Sequence, residues 1–250
     1  MPAPVQVAIR NRLLASLAPE DFSLLQPLLE PVALPGRSRL VTPNTPVDHA
    51  YFLEQGIASV MATTPEGCRI EVGLIGWEGM TGISILLGTD CTPHESFVQM
   101  PGTALRIRAN DLRHAVSVSA SLHQHLLRFT QVVTIQAGQT ALSNGCHRIE
   151  QRLARWLLMC HDRVDGDDLS TTHMSLSKML GVRRQSVTEA LQSLEERGAI
   201  SVKPGQVTVV DRAVLEGVAG DSYGVPEAEY ARLFGLPVRP FKYPALKHCP

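Results

Sequence analysis

Glycine and proline dictate what the first half of this chain can become. From Val32 to about Arg108 they cut it into short runs, 50–54, 57–63, 69–74, 96–100 and 104–107, each rich in β-formers or alternating in polarity. Gly56, Pro65-Glu66-Gly67, Gly76, Gly79, Gly82, Gly88 and Pro101-Gly102 supply the turns. A helix does not tolerate such punctuation, whereas short strands between turns do, so this region reads as a compact antiparallel β-barrel or sandwich. Residues 1–30 ahead of it carry leucines at helical spacing (Leu13, Leu14, Leu17, then Leu24, Leu25, Leu28, Leu29) but are interrupted by Pro19 and Pro27, so they read as a weak helical segment.

From Asn110 the pattern turns helical. Leu122, Leu126, Phe129, Val133, Gln136 and Thr140 recur at alternating spacings of four and three, a heptad-like seam. Residues 121–142 would make roughly 33 Å of helix at 1.5 Å per residue. A single small barrel hardly needs that length, so the seam is expected to join two subunits; the alternative is a helix packed on its own domain. Ser143-Asn144-Gly145 offers a hinge. Ile149, Leu153, Trp156, Leu157 and Cys160 mark a second helix, and Asp165-Gly166-Asp167-Asp168 a loop. Residues 236–250 hold four prolines and are expected to form a poorly ordered tail.

Composition narrows the function. With 23 Lys plus Arg against 24 Asp plus Glu, the net charge is −1. Nucleic-acid binding must therefore come from a local basic surface. Five cysteines (68, 91, 146, 160, 249) without regular spacing argue for free thiols. No signal peptide is evident, and no stretch reaches the roughly 18 apolar residues of a membrane span, so a cytoplasmic protein with no membrane partner is expected.

The most informative segment runs from Thr171 to Gly198. Thr172 is placed to cap a short helix whose apolar stripe is Leu176, Met179 and Leu180, and Gly181 is placed to end it. A second helix starts near Arg183 or Arg184. Its buried side is Val187, Ala190, Leu191 and Leu194, and its opposite side is Gln185, Thr188, Glu189 and Gln192, with Arg184 on the flank at the leading end. Two short helices about a glycine turn form a helix-turn-helix, whose second helix can read the major groove, Arg toward guanine and Gln toward adenine. Between Leu169 and Thr188 lie Lys178, Arg183 and Arg184 and no acid. The hairpin about Lys203-Pro204-Gly205 would be a wing, with Lys203 able to reach a phosphate. The alternative is an ordinary αα-hairpin and β-hairpin within another α+β domain.

These residues resemble the Crp/Fnr superfamily of bacterial transcription regulators. The resemblance is carried by Arg152-Leu-Ala-Arg-Trp-Leu-Leu158, Leu180-Gly-Val-Arg-Arg-Gln-Ser-Val-Thr-Glu-Ala-Leu191, Leu194-Glu-Glu-Arg-Gly-Ala-Ile200, the strand 207–210 and Asp211-Arg212. It is strong over roughly 145–220 and weaker before. It implies an α+β fold of three parts: an N-terminal antiparallel β-roll of cyclic-nucleotide-binding type, a long dimerisation helix and a C-terminal winged helix-turn-helix. The boundaries expected are 1–30, 31–109, 110–144, 145–218 and a tail 219–250. The family implies a homodimer on a pseudo-palindromic duplex with half-sites ~34 Å apart, and RNA polymerase as a partner if the protein activates. On this resemblance Arg184 matches a base-contacting arginine, and Gln185, Thr188 and Glu189 complete the base-reading set. Thr172, His173, Arg183, Ser186 and Lys203 are assigned to phosphate. Met174 stands where relatives often carry Glu.

The effector is not legible. In cyclic-nucleotide-binding relatives a Gly-Glu pair holds the ribose and a later Arg the cyclic phosphate. Here Ile83 follows Gly82, and no Lys or Arg occurs between Arg69 and Arg106. A phosphate without a charge partner is costly to desolvate, so cyclic AMP and cyclic GMP are not expected. An iron–sulfur cluster needs grouped thiolates, and the first cysteine is Cys68. No other cofactor and no metal site is expected. Cys91 and His94 are a weak pair; Cys146-His147 and Cys160-His161 are too far apart on a helix to share a metal. Cys160 reads as core and the histidines as surface. His123 and His125, two apart on a helix, face different ways. Two other functions are weighed: a cupin-like metal enzyme, for which the β region has only His49 and His94, and a dimeric interaction protein that binds no DNA.

Overall fold

The computed structural model describes residues 4–235 and Val238. The chain divides into two compact units, residues 1–61 with 74–132, and residues 62–73 with 133–250.

The first unit is a β-roll preceded by two short helices, α1 (Arg12–Ala15) and α2 (Pro19–Leu25). Its strands are β1 (Glu30–Leu34), β2 (Arg39–Val41), β3 (His49–Thr63), β4 (Arg69–Ile75) and β5 (Glu95–Arg108), except that residues 62–63 of β3 and 69–73 of β4 fall in the second unit. The sheet order is β1-β5-β3-β4, with β2 also on β5. β1, β2 and β3 each pair antiparallel with β5. β3 and β5 run much longer than the short runs expected from sequence, because glycines that read as turns are bulges inside them. Gly56 has φ +84°, and a Cβ there would lie 2.5 Å from the Met100 carbonyl oxygen; one on Gly102 would lie 2.1 Å from that of Gln55. The β3–β5 register shifts at this crossing. Only glycine lets the two backbones approach so closely without breaking the pair.

Asn11 ties the leading helices to the sheet. Its Oδ1 accepts from the Leu14 amide at 3.1 Å, and its Nδ2 donates to the Leu53 and Gly79 carbonyls, each at 2.8 Å. The side chain is fully buried. Glu54 accepts from the amides of Arg10 and Asn11.

After α3 (Ala109–Val118) the chain breaks at Ser119, and α4 (Ala120–Cys146) follows for 27 residues. The expected hinge at Ser143-Asn144-Gly145 lies inside α4; the break falls at His147-Arg148. The expected intersubunit seam is also corrected. Leu122 and Leu126 are fully buried and Phe129 is 1 % exposed within one chain. Phe129 lies over Gly79, where a Cβ would come within 1.9 Å of its ring. Further along, Gln136 is buried, and Val133 and Thr140 are half-buried. A heptad-like repeat reports an apolar stripe but not what covers it, and here the chain's own core does. The exposed stripe of α4 is a different one: Gln124, Leu127, Gln131, Thr134, Gly138, Ala141 and Gly145, again at alternating spacings of three and four.

The second unit is built on α5 (Ile149–His161), whose residues from Leu153 to His161 are all buried. Around it lie β6 (Asp168–Ser170), α6 (His173–Leu180), α7 (Arg184–Glu196), β7 (Ile200–Lys203), β8 (Gln206–Val209), α8 (Arg212–Ala219) and α9 (Val225–Phe234). The small sheet has the order β6-β8-β7, antiparallel throughout. The hairpin end 62–73 belongs to this unit, a division the sequence boundary at 109/110 does not capture. The Trp156 indole donates to Glu71 Oε1 at 2.7 Å, and Ile70 fills the space where Gly181 lacks a Cβ.

Residues 219–235, expected to belong to the tail, are ordered. Glu227 Oε2 accepts from the Gly224 amide at the start of α9, with Pro226 in the first turn. Arg212 reaches Tyr223 Oη at 2.8 Å and Asp162 at 2.8 Å, while Tyr223 Oη donates to Asp162 at 2.6 Å. Burial pushes the Asp162 carboxyl up to about 6, against the pull of the Arg212 guanidinium. Of residues 236–250, where the four prolines fall, all but Val238 lie outside the described residues. His161, expected at the surface, is 2 % exposed; its Nδ1 is 3.0 Å from Arg212 Nη1 and its Nε2 2.8 Å from Asp167. His147 is half-buried and pairs with Asp221 at 2.9 Å. His147 finds its carboxylate 74 residues away, and His161 is held between Asp167, six residues on, and Arg212, 51 residues on, so helix spacing alone does not reveal their burial. Cys160 is buried as expected, and Cys68, Cys91 and Cys146 are exposed and free.

Asn11→Ala is expected to destabilise the β-roll by about 1–3 kcal/mol, because two buried carbonyls and a helix-end amide lose their partner together. Chemical unfolding followed by circular dichroism would measure this; an unchanged midpoint would show that Asn11 does not anchor the leading helices.

Candidate nucleic-acid interface

The interface is assembled on α6, α7 and the β7–β8 hairpin. Thr172 begins it as expected: its Oγ1 accepts from the Ser175 amide at 3.1 Å and caps α6. Gly181 closes α6 with φ +64°, a conformation other residues adopt only at a cost. Arg152 of α5 donates through Nη2 to the Leu180 carbonyl and so satisfies the end of the same helix. Three residues later α7 starts at Arg184 and runs for 13 residues.

Burial on α7 follows the sequence pattern residue by residue. Val187 and Leu194 are fully buried, Leu191 is 1 % and Ala190 6 % exposed. Arg183, Arg184, Gln185 and Glu189 are exposed, and Ser186 and Thr188 are half-exposed. Glu150 of α5 holds the far end, accepting from Ser193 Oγ at 2.8 Å and pairing with Arg197 at 2.9 Å. Both helices are therefore fastened to α5, and the leading end of α7 is left to solvent. No side chain caps the α7 N-terminus, so its amide groups are available to an anion.

β7 and β8 form the wing, paired from Ile200–Val209 to Lys203–Gln206. Gly205 at its tip has φ +78°. The Val202 amide donates to Glu195 Oε1 at 2.8 Å and fastens the wing to the end of α7. Between the wing and the two helices lies an open groove of about 590 Å³ lined by Thr172, His173, Met174, Arg184 and Lys203 among others. Four residues predicted from sequence thus meet in one groove: Thr172, His173, Arg184 and Lys203. Arg183, Gln185, Ser186, Thr188 and Glu189 are not part of its lining and lie along α7 beside it.

Sequence reasoning missed two contacts on this face. His173 Nδ1 is 2.9 Å from Thr188 Oγ1, joining the two helices. Gln185 Nε2 donates to Glu189 Oε1 at 2.9 Å; their i, i+4 spacing could have signalled that bond. Met174, which stands where relatives often carry Glu, is 50 % exposed. Among the described residues no group of three or more His, Cys, Asp or Glu is placed to hold a metal, and no helix is long and apolar enough to cross a membrane.

A β-roll followed by a winged helix-turn-helix with a solvent-facing arginine end defines a DNA-binding regulator. Comparison with known proteins gives the family. Residues 31–118 match the cyclic nucleotide-binding domain and residues 151–218 the Crp-like helix-turn-helix domain. The chain belongs to the Crp/Fnr superfamily of transcription regulators and is not an enzyme. It is 25% identical over 177 residues, 67% of this chain and 79% of the relative, to a global nitrogen regulator of Nostoc sp.. Among solved structures it is similar in fold to a putative Crp/Fnr-family transcriptional regulator of Eubacterium rectale (TM-score 0.66, 16% identity, 83% of this chain and 97% of that one). It is also similar to FixK2 of Bradyrhizobium japonicum (TM-score 0.67, 14% identity, 77% of this chain and 98% of that one).

Proposed function

We propose that this regulator acts as a homodimer on a pseudo-palindromic duplex, reading each half-site with the leading end of α7, and that its β-roll takes an effector other than a cyclic nucleotide. The observation that carries the DNA reading is the position of Arg184. It is exposed at the first turn of a helix whose opposite face is buried, beside a groove that also holds Thr172, His173 and Lys203. Arg184 is suited to a bidentate bond with guanine. Thr172, His173, Arg183, Ser186 and Lys203 are suited to the flanking phosphates. Arg184→Ala is expected to lose about 1–3 kcal/mol on the specific duplex and to relax sequence preference, whereas Lys203→Ala weakens all duplexes alike. Titrations on specific and random DNA at several salt concentrations would separate the two; an unaltered operator affinity in Arg184→Ala would refute the docking.

For the dimer, the exposed stripe of α4 is the surface offered. Its central members Thr134, Gly138 and Ala141 are small, so two such helices can approach closely at the alternating spacing a two-stranded seam requires. Ala141→Glu is expected to give monomers with weak half-site binding in analytical ultracentrifugation. Phe129→Glu would instead disrupt the β-roll core. A wild type that is monomeric at micromolar concentration would rule the dimer out.

The cassette that would hold a cyclic phosphate is apolar. Gly82 has φ +80°, Ile83 follows it at the start of a single 3-10 turn, and Ile85 and Leu86 are 2 % and 4 % exposed. Residues 70–105 contain no Lys or Arg. Calorimetry with cyclic AMP and cyclic GMP is expected to show no micromolar binding, and measurable affinity for either would overturn this part. If the protein activates transcription, RNA polymerase is its further partner.

A further inference from the structure

Bonds made inside the helix-turn-helix decide what the exposed face of α7 presents. Thr188 Oγ1 lies 3.1 Å from the Arg184 carbonyl oxygen and 2.9 Å from His173 Nδ1. A hydroxyl has one proton. Whichever of these two neighbours receives it, the proton is used within the protein, so Thr188 has no donor left for a base and offers its methyl group and a lone pair. Gln185 is committed in another way. One amide proton goes to Glu189 Oε1 at 2.9 Å, one helical turn along the same face. Both side chains are exposed, so this bond is made where a duplex would lie.

Glu189 is the polar group left over. An ionised carboxylate only accepts hydrogen bonds. In the major groove guanine shows two acceptors, thymine an acceptor and a methyl group, and adenine a donor beside an acceptor; only cytosine shows a donor with no acceptor next to it. A carboxylate is therefore repelled by some part of every edge except that of cytosine. Its long side chain would also lose rotamer freedom on contact, and the bond from Gln185 restricts it before DNA arrives.

We propose that Glu189 reads a cytosine in each half-site through the N4 amine, and that Gln185 is a positioning residue that holds the Glu189 carboxylate and does not read a base itself. This rests on the DNA-binding reading above. It departs from the simple assignment of Gln185 to adenine, because the bond to Glu189 takes one of the two amide protons and fixes the orientation of the group along the helix face.

The test is selection from a random duplex pool by the full chain, as wild type, Glu189→Gln and Gln185→Met, followed by titration of the selected duplex and its single-base variants. For the wild type, one cytosine per half-site is expected to recur, and replacing it should weaken binding about tenfold. Glu189→Gln should reduce that preference to about twofold or less, since an amide both donates and accepts. Gln185→Met keeps the length of the side chain and removes the donor. It should lower the cytosine preference at the same position about threefold, as expected for coupled neighbours, leave the other positions and random-sequence affinity unchanged, and keep the wild-type melting curve. A purely structural role for Gln185 would shift the melting curve or weaken all duplexes together, and so would overturn the proposal. Loss of preference at a second position in Gln185→Met would show that Gln185 reads its own base and would overturn it too. So would an unchanged profile in Glu189→Gln. If Gln185→Met does not fold, Gln185→Ala carries the same comparison. A wild type that enriches no sequence defeats the DNA-binding reading itself, and the proposal with it.

Discussion

The seating of α7 on α5 is the constraint on which the rest depends. Val187, Leu191 and Leu194 remove one side of α7 from water almost completely. What remains outside is set by the 3.6-residue repeat rather than by any property of the outer residues. Two polar fastenings keep the helix from sliding along that apolar face. Arg152 holds the end of α6 just before the turn, and Glu150 holds Ser193 and Arg197 at the end of α7. A side chain can discriminate between bases only if its backbone is held in place, and here both ends of the recognition unit are tied to one buried helix.

α4 shows how one helix serves two surfaces. Its inner stripe is consumed by the chain's own core, with Phe129 filling the space over Gly79. Its outer stripe repeats at the same spacing with smaller residues. Two stripes of equal period on one helix cannot be told apart by periodicity. The more apolar one attracts the eye in the sequence, and for that reason it is the one buried first. The small residues are the ones left outside for a second helix to approach.

The end of the second unit rests on charge rather than on apolar packing alone. Asp162, Arg212, Tyr223 and His161 form a connected set in which each carboxylate or ring nitrogen has a partner from another element. Buried charge is tolerable only when it is paired in this way. The set ties α8 and the turn before α9 to the end of α5, which is why residues 219–235 are ordered although their composition suggested a tail. His161 and Asp162 are neighbours at the end of α5, but the groups they bond, Asp167, Arg212 and Tyr223, lie six or more residues away.

What the sequence determined by itself is local. The Thr172 cap, the left-handed Gly181, the stripe of Val187, Ala190, Leu191 and Leu194, and the wing turn at Gly205 all depend on residues a few positions apart, and each could be named before any fold was known. The glycine-rich texture likewise declared strands. What only the tertiary structure decided is which residues meet across the chain: Phe129 on Gly79, Asn11 on Leu53, Glu71 on Trp156, His161 on Arg212 and His147 on Asp221. It also decided that Gln185, legible as a base reader, gives one of its amide protons to Glu189. Spacing along a helix or strand fixes which side a residue faces, but what waits on that side depends on chain closure over tens of residues, and a one-dimensional pattern holds no record of it.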